Sequence, residues 1–436
     1  MEQNIIKRVL KFLIPSGIRT AIRKELQNVA YSFWIYRAKH KQRIALEKIR
    51  KKERVKVAFF VIHASVWKLD KVFQLMLNSK KFEPVIVICP YIVYGEECML
   101  TDMREAYCYF MNKGYNTVQT YDEQTEKWLN VKKEIQPDII FFTNPHKLTK
   151  EEYYITNYID LLTCYVPYSS MVSYLYQMQY NQIFHNLLWL AFYVTALHKE
   201  IAQKYAKNKG SNVEITGYPF TDIFFDKSYV PKEKWKINNK AVKRIIWAPH
   251  HTIEDDFILN YSNFLCYSDF FKDLLSLYKD KIQIAFKPHP ILKSKLYLRS
   301  DWGKEKTDQY YEFWQNQDNS QLEEIDYVDL FLTSDALILD SGSFLAEYFC
   351  TGKPELYMMA SEKARGQFNM FGQILLNNVY LSESRNDIIK FIEEIVLEGN
   401  DSMKDQRNLV CQQYLYPSKE KYASQKIMDI IIEKLR

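Results

Sequence analysis

No stretch of roughly eighteen consecutive apolar residues occurs in the 436 residues of this chain, so no membrane-spanning helix is expected. C-x-x-C spacing is also missing. The seven cysteines, Cys89, Cys98, Cys108, Cys164, Cys266, Cys350 and Cys411, are scattered and odd in number. That pattern carries no zinc signature, argues against a disulfide framework and fits a reducing compartment. Cys89, ending an apolar run, reads as a small core residue. Only 11 glycines and 13 prolines are present, which excludes collagen-like and low-complexity classes. No D-x-D stands at the end of an apolar run, so neither a metal nor any other cofactor is expected.

What is present is apolar and unevenly charged. Hydrophobic residues make up 47% of the chain, enough for two cores in a length that suits two domains. The net charge is +6, but residues 1–54 hold fifteen Lys/Arg against four Asp/Glu, which is +11 and leaves −5 for the rest. A basic segment on an acidic body does not fit nucleic-acid binding, which needs a basic face on the folded domain. Residues 1–54 are expected to form a helical arm in two parts. Ile5, Ile6, Val9, Leu10, Leu13 and Ile14 recur at helical spacing before Pro15-Ser16-Gly17. A second helix runs from about Ile18 through Tyr31-Ser32-Phe33-Trp34-Ile35-Tyr36. Basic amphipathic helices with aromatics lie on anionic membrane surfaces, and an arm packed on its own domain is the alternative. The start lacks the long apolar core and cleavage site of a signal peptide, so a cytoplasmic, peripheral location is expected.

From Val55 the pattern turns to short apolar runs alternating with helical segments: VKVAFFVI, PVIVIC, PDIIFFT, LLTCYVPY, YVTALH and NVEITGYP. A second series follows: RIIWAPHH, IQIAFKPHP, DALILDSG and PELYMM. Alternation of this kind specifies α/β domains with doubly wound parallel sheets. The expected division is an arm at 1–54, a first α/β domain at 55–235 and a second at 236–436 with terminal helices.

Four motifs stand at the carboxyl ends of expected strands, where an open sheet offers its ligand crevice. Trp247-Ala248-Pro249-His250-His251 places His250 where it can bond a phosphate or move a proton, or serve as a polar loop residue. In Lys287-Pro288-His289-Pro290 the prolines limit the freedom of His289, either for a ligand or for a rigid turn. Asp340-Ser341-Gly342-Ser343 begins a helix whose N-terminus suits a phosphate, with Glu347 one turn on in reach of a ribose or base edge; the serines are otherwise helix caps. Gly217-Tyr218-Pro219 with Asp222 reads as a structural turn.

Taken in order with Gly352-Lys353-Pro354, these motifs resemble the C-terminal half of the CDP-glycerol glycerophosphotransferase family over about residues 210–360. The resemblance implies a GT-B fold of two Rossmann-like domains facing a cleft. It also implies a CDP-activated alcohol donor, a lipid-linked or polysaccharide acceptor, and polymer growth at the inner face of a bacterial membrane. On this reading Lys287, Ser341, Gly342, Ser343 and Glu347 bind the donor, while His250 and His289 act at its diphosphate. The family's W-H-G-T, which carries its base, is missing here; the region reads LTCYVPYSSMV, and His185 is the substitute candidate or a packed helix residue. Phe220 stands where the family has Arg. D-S-G-S…E…G-K-P is also similar to the nucleotide site of UDP-GlcNAc 2-epimerases and some UDP-sugar transferases, and a non-catalytic membrane scaffold is a third reading.

Overall fold

The computed structural model describes residues 16–436 apart from 94, 238, 240, 255–258, 325 and 417–420. The first apolar series forms a sheet of β1 (Val55–Val61), β2 (Phe82–Ile88), β3 (Thr117–Gln119), β6 (Ile139–Phe142), β7 (Leu162–Tyr165), β8 (Leu190–Tyr193) and β9 (Val213–Ile215). Its order is β3-β2-β1-β6-β7-β8-β9, with β4 (Tyr121–Asp122) and β5 (Lys127–Trp128) in a separate hairpin. The second series forms β10 (Lys243–Ala248), β11 (Ile282–Phe286), β12 (Ser320–Leu322), β13 (Ala336–Leu339), β14 (Glu355–Met358) and β15 (Tyr380–Ser382), in the order β12-β11-β10-β13-β14-β15.

Neighbours in both sheets are parallel, as in the pairs β1–β2, β1–β6 and β10–β13. Crossover helices cover both faces, which is why the strands are apolar without alternation. Val57, Phe59 and Val61 of β1 enter one core and Ala58 and Phe60 another. The strand expected within Tyr193–His198 lies earlier, at Leu190–Tyr193. The Nδ1 of His198 accepts the Thr195 N–H (3.2 Å), which starts the helix Ala196–Tyr205 instead. The three-residue strands β3, β12 and β15 are too short to show an apolar run.

Of the arm, residues 1–15 lie outside the described residues. The rest is one helix, Ser16–Ile49. Ile35, Ala38, Gln42, Ala45 and Ile49 form its buried face, and Gln42 donates to the Leu187 carbonyl at 2.7 Å. Its C-terminal half is therefore packed on the first sheet's layer, while Val29, Phe33 and Tyr36 are exposed on the opposite side.

The last helix, Ala423–Leu435, returns to the first sheet and packs on the helix Asp70–Leu77. Gly217-Tyr218-Pro219…Asp222 is its seat. Asp222 accepts the N–H groups of Ala423 and Ser424 at 2.9 Å each. Gly217 has φ +87° and lies so near Ala423 that a Cβ would sit 3.2 Å from its methyl. The two sheet layers share a continuous apolar core that includes Val172, Tyr218, Tyr261 and Leu345.

Candidate active site

Strand order fixes where each sheet can hold a ligand. The chain reverses direction across the first sheet between β1 and β6, and across the second between β10 and β13. At such a point the loops beyond the carboxyl ends diverge and leave a crevice. The second sheet's crevice is bordered by the loop after β10, with His250 and His251, and by Asp340-Ser341-Gly342-Ser343 after β13. Lys287 and His289 follow the adjacent β11.

The structure brings His250, His251 and His289 together. One ring nitrogen from each lies within 4.8 Å of the others. The backbone holds them: the His289 N–H donates to the Pro249 carbonyl at 3.1 Å, and the Ile291 N–H donates to His289 Nδ1 at 3.2 Å. An Nδ1 that accepts leaves the proton of a neutral imidazole on Nε2, so His289 presents a donor away from its own loop. Asp340 clamps the other side. Its carboxylate accepts the N–H groups of His250 and Asn263, both at 2.5 Å. Burial raises Asp340 to about 7 against these bonds. Burial also holds His250 and His289 well below the usual imidazole range and His251 at about 4.

Cations surround the cluster. Lys295 lowers all three histidines further, and Lys287 lowers His289. Lys287 is 3% exposed and pushed down to about 8 by burial, yet no carboxylate lies within ion-pair distance among the described residues. Three such nitrogens have the geometry to hold a metal ion; Lys295 is paired with Glu254 at 2.7 Å, whereas Lys287 has no such partner among the described residues and favours an anion.

The helix Gly342–Phe349 supplies further donors. Its N-cap Ser341 makes no side-chain cap bond, and its hydroxyl lies 3.3 Å from that of Ser343. The first N–H groups of the helix therefore remain available to a ligand. Gly342 is needed for a close approach: a Cβ there would sit 3.0 Å from Val172 Cγ2 of the first layer. Glu347 is engaged, not open. It is buried, pairs with Lys68 Nζ at 3.3 Å and accepts a hydrogen bond from Tyr327 Oη.

His185, in the helix Ile183–Leu187, is 3% exposed and packed against the rings of Tyr165 and Phe184. Neither ring nitrogen has a hydrogen-bond partner among the described residues, and burial pushes its pKa down to about 3. This is the setting of a packed core residue, apart from the three-histidine cluster. Sequence reasoning passed over two other histidines beside the first sheet's crevice. His63 follows β1, with Nδ1 3.5 Å from Asp102 Oδ2. His146 follows β6, with Nε2 3.4 Å from Tyr168 Oη and Nδ1 3.5 Å from Gln182 Nε2. His146 lines a small cleft, partly open to solvent, with Phe60, Phe142 and Phe184. The signal was available: FVIH and FFTNPH place each histidine just past an apolar run, as FKPH does for His289.

Residues 191–433, which span most of this machinery, match the family described as CDP-Glycerol:Poly(glycerophosphate) glycerophosphotransferase. The chain belongs to this family. The teichoic acid ribitol-phosphate polymerase TarL of Staphylococcus aureus (strain NCTC 8325 / PS 47) is 29% identical over 154 residues, covering 34% of this chain and 25% of that protein. The match thus spans a quarter of the relative's length. Among solved structures, the H444N variant of the wall teichoic acid polymerase TagF aligns over 95% of this chain and 97% of its own, with TM-score 0.58 and 13% identity. The S. aureus MnaA–UDP structure aligns over 87% and 97%, with TM-score 0.57 and 14% identity. At these identities the likeness establishes the fold, which is GT-B. Among the described residues no helix is long and apolar enough to cross a membrane.

Proposed function

We propose that the chain moves an alcohol phosphate, glycerol phosphate or a close relative, from a CDP-activated donor to a hydroxyl of a polysaccharide or lipid-linked acceptor, releasing CMP. The observation that carries this reading is the convergence of Lys287, which has no carboxylate within ion-pair distance among the described residues, the His289 Nε2 donor and the uncapped Gly342–Ser343 helix start at one switch point. A diphosphate needs such a set: phosphoryl transfer is dominated by positioning and charge neutralisation. In this reading residues 236–436 hold the donor and residues 55–235 face the acceptor. His250 and His251 line the diphosphate side. Glu347 meets a ribose only when Lys68 releases it. The basic arm holds the chain to the anionic inner face of the membrane, and the exposed Val29, Phe33 and Tyr36 stripe supplies apolar contact.

Thermal unfolding with CDP-glycerol, CDP-ribitol, UDP and UDP-GlcNAc tests the donor. A ligand at a hundred times its Kd stabilises the native state by about 2.7 kcal/mol. Stabilisation by a CDP-alcohol, followed by CMP release, supports the reading; stabilisation by UDP-GlcNAc alone overturns it in favour of an epimerase-like or sugar-transferring enzyme.

A further inference from the structure

In the donor reading above, nothing yet takes the proton from the acceptor hydroxyl, and the buried His185 is closed off from it. The first sheet's switch point supplies the missing group. His63 stands at the carboxyl end of β1, half-buried, with its ring against Tyr91 at 4.9 Å between centroids. Its Nδ1 faces Asp102, in the helix Glu96–Asn112, at 3.5 Å. A carboxylate beside one ring nitrogen favours the tautomer with its proton there and leaves the other nitrogen to accept. That other nitrogen, Nε2, makes no hydrogen bond among the described residues. Burial keeps His63 below, and Asp102 above, their ordinary values, and each charge partly offsets the other's shift.

Position supports the same role. The loop that begins with His63 reaches the second layer five residues later, where Lys68 pairs with Glu347 at 3.3 Å. Glu347 lies one turn into the helix whose N-terminus is the phosphate site proposed above. One loop thus joins the His–Asp pair to the donor helix. His146, the other histidine at this crevice, has Tyr168 and Gln182 facing its two nitrogens, so neither is as open as Nε2 of His63.

We infer that His63 is the general base of the transfer and Asp102 its positioning residue. The acceptor oxygen attacks the donor's outer phosphorus while its proton passes to His63 Nε2. The bond from that phosphorus to the bridging oxygen breaks, and CMP leaves with the electron pair. The assignment rests on the donor reading above.

The test uses the full chain with CDP-glycerol as donor and a short poly(glycerol phosphate) oligomer as hydroxyl source. CMP release gives turnover, and CDP-glycerol-dependent thermal shift gives donor binding. His63→Gln is expected to lower kcat a hundredfold or more while the donor shift persists. Asp102→Asn is expected to lower kcat about tenfold or more with the donor KM unchanged, and Asp102→Glu to recover part of it. Full turnover in His63→Gln overturns the inference, as does a loss confined to His146→Gln. Loss of the donor shift in His63→Gln also overturns it, since the residue would then be serving donor binding or the fold. If the wild-type chain releases no CMP from CDP-glycerol or CDP-ribitol, the donor reading falls first and takes this assignment with it.

Discussion

Lys68 Nζ, in the loop after β1, lies 3.3 Å from Glu347 Oε1, in the helix after β13, and both side chains are almost fully enclosed. Tyr327 bridges them: Lys68 donates to its hydroxyl, which donates to Glu347. The Phe220 ring lies under the ammonium at 3.8 Å. Phe220 is the position where the resemblance leads one to expect arginine, and here it cushions a cation that ties the two layers. Burial raises the Glu347 carboxyl and lowers Lys68, so each needs the other's charge.

Lys68→Met leaves a buried carboxylate without its partner, which typically costs about 3–5 kcal/mol. The double variant Lys68→Met/Glu347→Gln removes both charges and is expected to regain much of that loss. Urea denaturation of the two variants checks this; equal destabilisation by both would show that the pair is not coupled.

His185→Leu replaces a buried ring whose two nitrogens lack partners by an apolar side chain. Stability is expected to hold or rise, because the desolvation cost of those nitrogens disappears. His185→Ala opens a cavity and is expected to cost on the order of 2–5 kcal/mol. The folded fraction of both variants should keep wild-type turnover per molecule. A collapse of turnover in stable His185→Leu would restore this residue as the base.

Acid should destabilise the chain through its buried histidines. His251 and His198 are held at about 4 and His185 at about 3. Between pH 6.5 and those values the unfolded chain binds more protons, so this stability is complete above about pH 6.5 and is lost as pH falls through the window. Asp340, raised to about 7, works against this trend: its effect is to lower stability as pH rises from 3.8 to about 7. Glu347 and Glu355, also raised by burial, oppose the histidines in the same sense as Asp340, so the test is a single-site difference. The loss of urea midpoint between pH 7 and pH 5 is expected to be smaller in His251→Gln than in the wild-type chain. An unchanged pH dependence in His251→Gln contradicts the burial assigned to this ring.

The exposed face of the arm is expected to meet the membrane. Removing residues 1–30, or changing Phe33 and Tyr36 to Ser, leaves the packed face from Ile35 to Ile49 in place. Binding to anionic vesicles should weaken by about 1 kcal/mol per basic residue removed near the surface, and fade in high salt. Sedimentation with phosphatidylglycerol vesicles measures it; unchanged binding by both variants sinks the idea.

Much of the fold was legible because parallel strands buried on both faces must be apolar throughout, and runs such as VKVAFFVI and IQIAF show it. The strand ends of the second sheet were legible for a related reason: W-A-P-H-H, K-P-H-P and D-S-G-S each break an apolar run, and the structure places all three just past β10, β11 and β13. What stayed hidden depends on contacts distant in sequence. The Lys68–Glu347 pair joins residues from different layers, so Glu347 looked available when it is engaged. The His63–Asp102 pair spans a strand, a crossover and a helix, and no local pattern announces it. His185 stands out in the sequence as the first histidine after LTCYVPY, whereas its surroundings come from the rings of Tyr165 and Phe184.

The central claim is that a donor diphosphate sits between Lys287–His289 and the Ser341-Gly342-Ser343 helix start. Calorimetric titration with CDP-glycerol tests it most directly on His289→Ala, Ser343→Ala and the wild-type chain. Removing one hydrogen bond to a charged group costs about 1.5–3 kcal/mol, so each variant should bind about ten- to a hundredfold more weakly while unfolding at a near-normal temperature. Wild-type affinity in both variants would contradict the account and place the nucleotide elsewhere.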